Sequence, residues 1–368
     1  VAGVLVHEWI AQSGGSENVL QAMSEVFPDA PVVCLWNDSI GRFDPARVRE
    51  SWLAATPLRR NKALALPLMP AVWRTLRYHS YDWALISSHA FAHHARFRGA
   101  PRDFRRMVYV HTPARYVWTR EFDARGDHPV ARLASQALRP LDRHRAREGA
   151  EFAANSAFVR RRIQDTWRVD ARVIYPPVNV GRIQSVSDWR ARLDQVESTG
   201  LERLPEGFVL GASRFIPYKR LEDVIKVGEA TGRPVVLAGK GPSLPELRAA
   251  AAAATVPVHF VQEPSEALLY SLYQQTSLFV FPAVEDFGIM PVEAMAAGAP
   301  VLAQAEGGAA ESVLAGITGS LISFRSASEM RAGADRAIAT ARSDRLTRAK
   351  AFTAERFRQE ISSWVAER

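Results

Sequence analysis

The 368-residue chain is longer than one ordinary domain and suits two of roughly 150–200 residues each. Its 47% hydrophobic content allows a core in each half, no apolar run approaches the roughly 18 residues that cross a bilayer, and no signal-peptide pattern is expected. Cys34, the single cysteine, excludes an internal disulfide and a cysteine-type zinc site, and fits a reducing cytoplasm. Charge is uneven: residues 1–180 hold 26 Lys and Arg against 17 Asp and Glu, whereas the remaining 21 and 22 nearly cancel. A cationic first half calls for an anionic partner, such as phospholipid headgroups or a diphosphate-carrying acceptor. No motif accompanies the charge that would make the partner a nucleic acid.

Short apolar runs alternate with helix-length segments, the pattern of βαβ units and a parallel sheet. In the first half the expected strands are Gly3–Val6, Val32–Leu35, Trp83–Ser87, Met107–Val110 and Arg172–Tyr175. Gly14-Gly15 follows the first of them and precedes a helical stretch, so its N–H groups could approach a phosphate. It is not a G-x-G-x-x-G fingerprint, and a glycine pair alone serves a tight turn equally well. Leu58–Arg77 mixes arginines and a lysine with Leu, Met and Trp. It reads either as a membrane-surface segment or as a proline-broken core segment with solvated arginines. His111 lies just past a strand, where a histidine is either structural or a ligand contact. His7, His89, His93 and His94 show no metal-ligand spacing tied to a second cluster and are expected to be structural or solvent-facing, with His7 also an acceptor-side candidate.

Pro176 to Leu204 is polar and reads as a connection plus a helix. Strands then resume at Phe208–Gly211, Pro234–Ala238, Val258–Val261, Leu278–Phe281, Pro300–Ala303 and Gly319–Ile322. Two cations, Arg214 and Lys219, follow the first of these and could grip a diphosphate. Between Phe281 and Val301 lies a loop with two acids and a glycine, then a helix that Pro291 can open and Gly298 with Pro300 can close. Glu285 precedes that helix and Glu293 is expected in its first turn, where an acid either binds ligand or merely complements the helix dipole.

These segments together resemble the retaining glycosyltransferases of family 4. Glu285-Asp-Phe-Gly-Ile-Met-Pro-Val-Glu293 looks like that family's signature, Gly211–Arg220 its phosphate-binding segment, and Val235–Pro242 its next strand and glycine turn. Gly307-Gly308 with Glu311 resembles the segment after the signature, and Tyr109–Trp118 the sugar-site loop of a mannosyltransferase-like subgroup. The resemblance implies an α/β chain of GT-B type, two Rossmann-like doubly wound domains facing a shared cleft. The domains expected are residues 1–180 for the acceptor, joined by a terminal helix at 352–368, and residues 205–351 for the nucleotide-sugar donor. It implies that Arg214 and Lys219 hold the leaving diphosphate, that His111 and Glu285 contact the transferred sugar, and that Gly14-Gly15 approaches the distal phosphate. Backbone groups of Phe287, Gly288, Ile289 and Met290 would hold sugar and phosphate, Glu293 the ribose, and the region of Val261 the base.

No Asp-x-Asp motif is present, so neither a metal nor another cofactor is expected. The expected reaction is transfer of a hexose, foremost mannose from GDP-mannose, onto a glycan or a polyprenyl-diphosphate or other lipid-linked acceptor. The expected location is cytoplasmic, with a peripheral hold on the inner membrane face. UDP-sugar transfer, donor binding without catalysis, and epimerisation are the rival readings.

Overall fold

The computed structural model describes residues 2–118 and 129–367. Val1 and Arg368, the outer ends of the expected spans 1–180 and 352–368, lie outside them. The chain divides into two units, Val1–Pro177 with Glu355–Arg368, and Val178–Ala354.

In the first unit the strands are β1 (Gly3–His7), β2 (Val32–Cys34), β3 (Val48–Glu50), β4 (Leu76–Arg77), β5 (Trp83–Ser88), β6 (Phe97–Arg98), β7 (Arg105–Val110), β8 (Glu151–Ala154) and β9 (Arg172–Val173). The second holds β10 (Val209–Ala212), β11 (Val235–Gly239), β12 (Val258–Gln262), β13 (Leu278–Phe281), β14 (Val301–Gln304) and β15 (Gly319–Ile322). Every expected strand forms, with ends shifted by at most two residues. The strands that escaped notice, β3, β8 and the β4–β6 pair, are short and lack a run of branched or aromatic residues.

Both main sheets are parallel. Their orders are β3-β2-β1-β5-β7-β8-β9 and β12-β11-β10-β13-β14-β15. Each sheet therefore reverses direction once, between β1 and β5 in the first unit and between β10 and β13 in the second. Loops leaving the carboxyl ends of strands at such a switch point diverge and leave room for a ligand.

The sheet of the first unit is covered on both faces, as its continuous apolar strands require. One face packs Val6, Ile86 and Val108 against Trp36, Trp73 and Trp167. The other packs Leu5, Leu85 and Tyr109 against Phe357, Ile361 and Trp364 of the closing helix Ala354–Ala366. The Tyr109 hydroxyl also donates to the Ile174 carbonyl at 3.0 Å. In the second unit Val209, Leu237, Val280 and Leu302 share a core with Val224, Met330 and Ala334.

Leu58–Arg77 is partly buried and partly exposed. It breaks into short turns, Pro57–Arg60, Lys62–Ala65, Leu66–Leu68 and Met69–Val72. Met69, Val72 and Trp73 are fully buried, whereas Leu64 and Leu68 are 63% and 40% exposed, beside Trp52 at 51%. Cys34 is buried, and burial pushes its thiol pKa up, so it is a spacer and not a nucleophile.

Candidate active site

In the second unit the residues singled out from sequence gather at the switch point. Arg214 and Lys219 follow β10, and Glu285 follows β13. Lys219 closes a short 3-10 turn, Pro217–Lys219, and its ammonium forms an ion pair with the Glu285 carboxylate. Lys219 is only 8% exposed and lies over the rings of Tyr218 and Phe281. Aromatic faces and one carboxylate partner surround this side chain in a site largely shielded from water. Arg214 is exposed, its guanidinium 3.4 Å from the Tyr218 hydroxyl.

Three glycines bring these loops close. Gly307 and Gly308 lie on the backbone of the signature loop, where the Gly308 N–H donates to the Glu285 carbonyl at 2.8 Å. A Cβ on Gly308 would overlap the Asp286 carbonyl and the Phe287 Cα. Likewise Gly241, at φ 155°, leaves no room for a Cβ beside the Phe215 backbone. The Phe215 N–H donates to the Lys240 carbonyl at 2.7 Å, and so the Arg214 loop is tied to the turn after β11.

The helix Ile289–Ala297 starts directly after Gly288, so the first-turn N–H groups, those of Ile289 and Met290 included, point out of its N-terminal end. Its other end is held by buried Arg345, whose Nε donates to the Gly298 carbonyl at 3.0 Å. Phe287 and Gly288 are buried. Val261, by contrast, lies on the edge strand β12, half-exposed.

Glu293 is not in the first turn. It is the fifth residue of the helix, because the helix opens two residues before Pro291. That placement removes the dipole-complementing role, which fades beyond the first turn. The Glu293 carboxyl is half-buried, and burial together with the Glu266 carboxylate pushes its pKa up to about 7. Burial and Glu293 in turn raise the phenols of Tyr270 and Tyr273. Tyr270 donates to Glu266 at 3.0 Å, Arg182 pairs with Glu266 at 2.6 Å, and the buried Tyr273 hydroxyl has no partner among the described residues. Sequence reasoning missed this surround. Its signal was the spacing of Glu266, Tyr270 and Tyr273 at i, i+4 and i+7, one face of the helix Glu266–Gln275.

In the first unit the switch point is lined by histidines. His7 ends β1, in register with Ser87 of β5, and His111 follows β7. The Ser87 hydroxyl lies 3.0 Å from His7 Nδ1 and 2.9 Å from His111 Nε2. Burial, then His89, lowers the His7 pKa to about 4 and holds that of His111 well below the usual range. Glu8 is fully buried; burial alone would raise its pKa, but His89, His7 and the N–H groups of Ala92 and Ala90 overcome that and lower it. Those two N–H groups reach it at 2.8 Å each, and His89 Nδ1 at 3.3 Å. The Gly14–Gly15 turn belongs to a similar knot: buried Glu17 accepts from the Ala11 N–H at 3.2 Å and the Ser16 hydroxyl at 2.8 Å.

The histidines read as structural or solvent-facing meet carboxylates in two clusters, His7–Glu8–His89 and His93–His94–Asp142. In the second, Asp142 is fully buried and faces four N–H groups: His94 Nε2 at 2.9 Å, His93 Nε2 at 3.1 Å, and the indoles of Trp118 and Trp167 at 2.7 and 2.6 Å. Burial alone would raise its pKa, yet His93 and His94 hold it far below the usual range. With both oxygens taken, this carboxylate is a structural anchor.

Residues 13–182 match the family described as glycosyltransferase family 4, and residues 199–352 that of glycosyl transferases group 1. Comparison with curated proteins gives no match. Among solved structures, HepE from Anabaena in complex with UDP-glucose superposes with a TM-score of 0.71 at 20% identity over 99% of both chains. Sucrose-phosphate synthase from Thermosynechococcus elongatus gives 0.70 at 18% identity, over 99% of this chain and 98% of that one. The lipopolysaccharide outer core galactosyltransferase WaaB, in its apo form, gives 0.70 at 15% identity over 99% of both chains. Identities this low carry the fold, whereas the two family matches, one on each half, carry the activity. The protein is a glycosyltransferase of the group 1/family 4 type, with the GT-B fold.

Proposed function

We propose that the protein moves a hexose, with retention, from a nucleoside-diphosphate sugar held by the second unit to a glycan or lipid-linked acceptor. The observation that carries this reading is the Lys219–Glu285 pair at the β10–β13 switch point, a shielded cation and an acid joined across two loops. Lys219 and Arg214 take the diphosphate, and their charge does at the leaving group what a divalent ion does elsewhere, so no metal is needed. Glu285 and the Phe287–Met290 backbone hold the sugar, Glu293 accepts from the ribose, and the base rests near Val261. As the bond from the anomeric carbon to the phosphate oxygen breaks, the acceptor oxygen bonds on the same face and its proton passes to the departing diphosphate. Gly14–Gly15 meets the distal phosphate, and His111 contacts the transferred sugar.

The donor in this reading is GDP-mannose, because Ile216–Lys219 and His111–Pro113 resemble enzymes of polysaccharide or glycolipid assembly, many of which use it. The UDP-glucose complex of HepE favours a second reading, UDP-glucose. Calorimetric titration with GDP and with UDP decides: clear preference for UDP removes the mannose reading. Nucleotide release with a pool of polyprenyl-diphosphate-linked acceptors tests catalysis itself. Donor binding without release would make the chain a sensor, and donor conversion without acceptor an epimerase.

An acceptor carrying a lipid diphosphate is supported by an open cavity of about 1120 Å³ in the first unit, lined by Arg59, Arg60, Lys62, Thr56, Pro57 and Asp38. The Lys62 ammonium at its edge lies 4.5 Å from the centre of the Trp9 ring, and the Trp9 and His89 ring centres are 4.6 Å apart. Trp52, Leu64 and Leu68 are exposed in the same segment, the composition of a peripheral contact with an anionic bilayer. No described helix is long and apolar enough to cross a membrane. Sedimentation with vesicles tests the contact: equal binding to neutral and anionic lipid would remove the electrostatic part.

A further inference from the structure

We infer that Ser87, through His7, locks His111 in its Nδ1–H tautomer and so makes it a hydrogen-bond donor to its ligand. The inference rests, for its consequence in catalysis, on the reading that His111 meets the transferred sugar; the tautomer itself does not.

Three groups form a closed chain: His7 Nδ1 to Ser87 Oγ at 3.0 Å and Ser87 Oγ to His111 Nε2 at 2.9 Å. Both imidazoles are neutral near pH 7, being buried and set beside other histidines. A neutral imidazole carries one N–H, and a serine hydroxyl has one proton to give. Ser87 could accept from both imidazoles only by leaving its own buried O–H without an acceptor among the described residues, so two arrangements follow. In one, His7 Nδ1–H donates to Ser87, Ser87 donates to His111 Nε2, and His111 keeps its proton on Nδ1. In the other every bond reverses, and His7 must carry its proton on Nε2.

His7 Nε2 is fully buried and has no partner among the described residues. The reversed arrangement would strand a donor there, and buried N–H groups without an acceptor are rare. The first arrangement therefore holds. Free histidine in water prefers the opposite Nε2–H form, so the tautomer of His111 is imposed by its neighbours. The backbone fixes the ring's base on both sides: the His111 N–H donates to the Ser88 carbonyl at 2.8 Å, and the Asn155 amide donates to the His111 carbonyl at 3.0 Å. With Nε2 occupied and Nδ1 protonated, His111 cannot take up a proton from a substrate hydroxyl. It selects a ligand that offers an oxygen lone pair, a hydroxyl or ring oxygen of the sugar. Ser87 and His7 are positioning residues.

Nitrogen-15 NMR of imidazole-labelled protein tests this, because protonated and bare ring nitrogens differ widely in shift. The His111 signals, identified by their loss in His111→Gln, should show Nδ1 protonated and Nε2 bare at pH 7.5. Ser87→Ala should return His111 toward the Nε2–H form, and Ser87→Thr, which keeps the hydroxyl, should retain Nδ1–H. An Nε2–H signal in the unmodified protein would overturn the inference, and so would a tautomer indifferent to Ser87→Ala. In nucleotide release, Ser87→Ala should lower kcat/KM about tenfold, the loss of one hydrogen bond to the ligand, with recovery in Ser87→Thr. If the tautomer shifts while kcat/KM holds, the tautomer stands and the sugar contact of His111 fails.

Discussion

At the switch point of the first unit the strands end on neutral imidazoles joined through a serine hydroxyl; at that of the second they end on formal charge, Lys219 against Glu285. The topology is the same in both, a parallel sheet that reverses once. What differs is what each set of side chains needs around it. A buried ammonium needs a counter-charge, and Glu285 supplies it. Neutral histidines need only correctly placed protons, and the one carboxylate beside them, Glu8, is met by the N–H groups of Ala90 and Ala92 and by His89. Shared topology thus places the ligand loops, while the residue types on them set which chemistry each loop can meet.

The contrast can be broken most severely in the first unit away from the switch point. Asp142→Ala should leave His93, His94 and two indoles without their acceptor and cost about 3–5 kcal/mol. Urea unfolding followed by tryptophan fluorescence checks this directly, since Trp118 and Trp167 are among the donors. The Asp142 pKa is depressed by folding, so its contribution is full above the unfolded carboxylate value and fades as pH falls below it. In the second unit Lys219→Ala should lower kcat about 10²–10³-fold, as loss of a donor to developing charge does elsewhere. Unchanged nucleotide release in that variant would refute its phosphate role.

A subtler difference comes from Glu293, whose pKa folding raises from 4.5 to about 7. Between those values the folded chain keeps a proton that the unfolded chain has released. Its stabilising effect is therefore full below about pH 4.5, falls as pH rises and is gone above about pH 7. Glu293→Gln should flatten that slope and raise the unfolding midpoint at pH 8, by less than about 3 kcal/mol, while weakening nucleotide binding. Stabilisation without loss of nucleotide affinity would separate Glu293 from the ribose. The smallest effect belongs to the surface. Arg60→Ser with Lys62→Ser should lower affinity for anionic vesicles by about 1 kcal/mol per charge, leaving neutral vesicles unaffected.

The strands with unbroken Val, Leu and Ile runs were legible in the sequence because a parallel strand covered on both faces must be apolar along its length. The placement of Arg214, Lys219 and Glu285 close to strand ends at the reversal was legible as well. Glu293 was read one turn early, since Pro291 is tolerated anywhere in a first turn and does not fix where a helix begins. The histidine clusters were not legible. His7 and Ser87 are 80 residues apart and meet only through the β1–β5 register, while Asp142 joins His93 and His94 across three elements. No local spacing encodes either meeting.

The helix Ala354–Ala366 gives the order of synthesis a structural consequence. Phe357, Ile361 and Trp364 complete one face of a sheet whose other strands are translated first, yet they leave the ribosome after the whole second unit. The helix Gly15–Val26 covers part of that face early, but the part taken by Phe357, Ile361 and Trp364 stays open while the chain is still being made. A nascent chain stalled before Phe357 should be cut readily by protease in its first unit and resist in its second. The half made first is, in that sense, finished last.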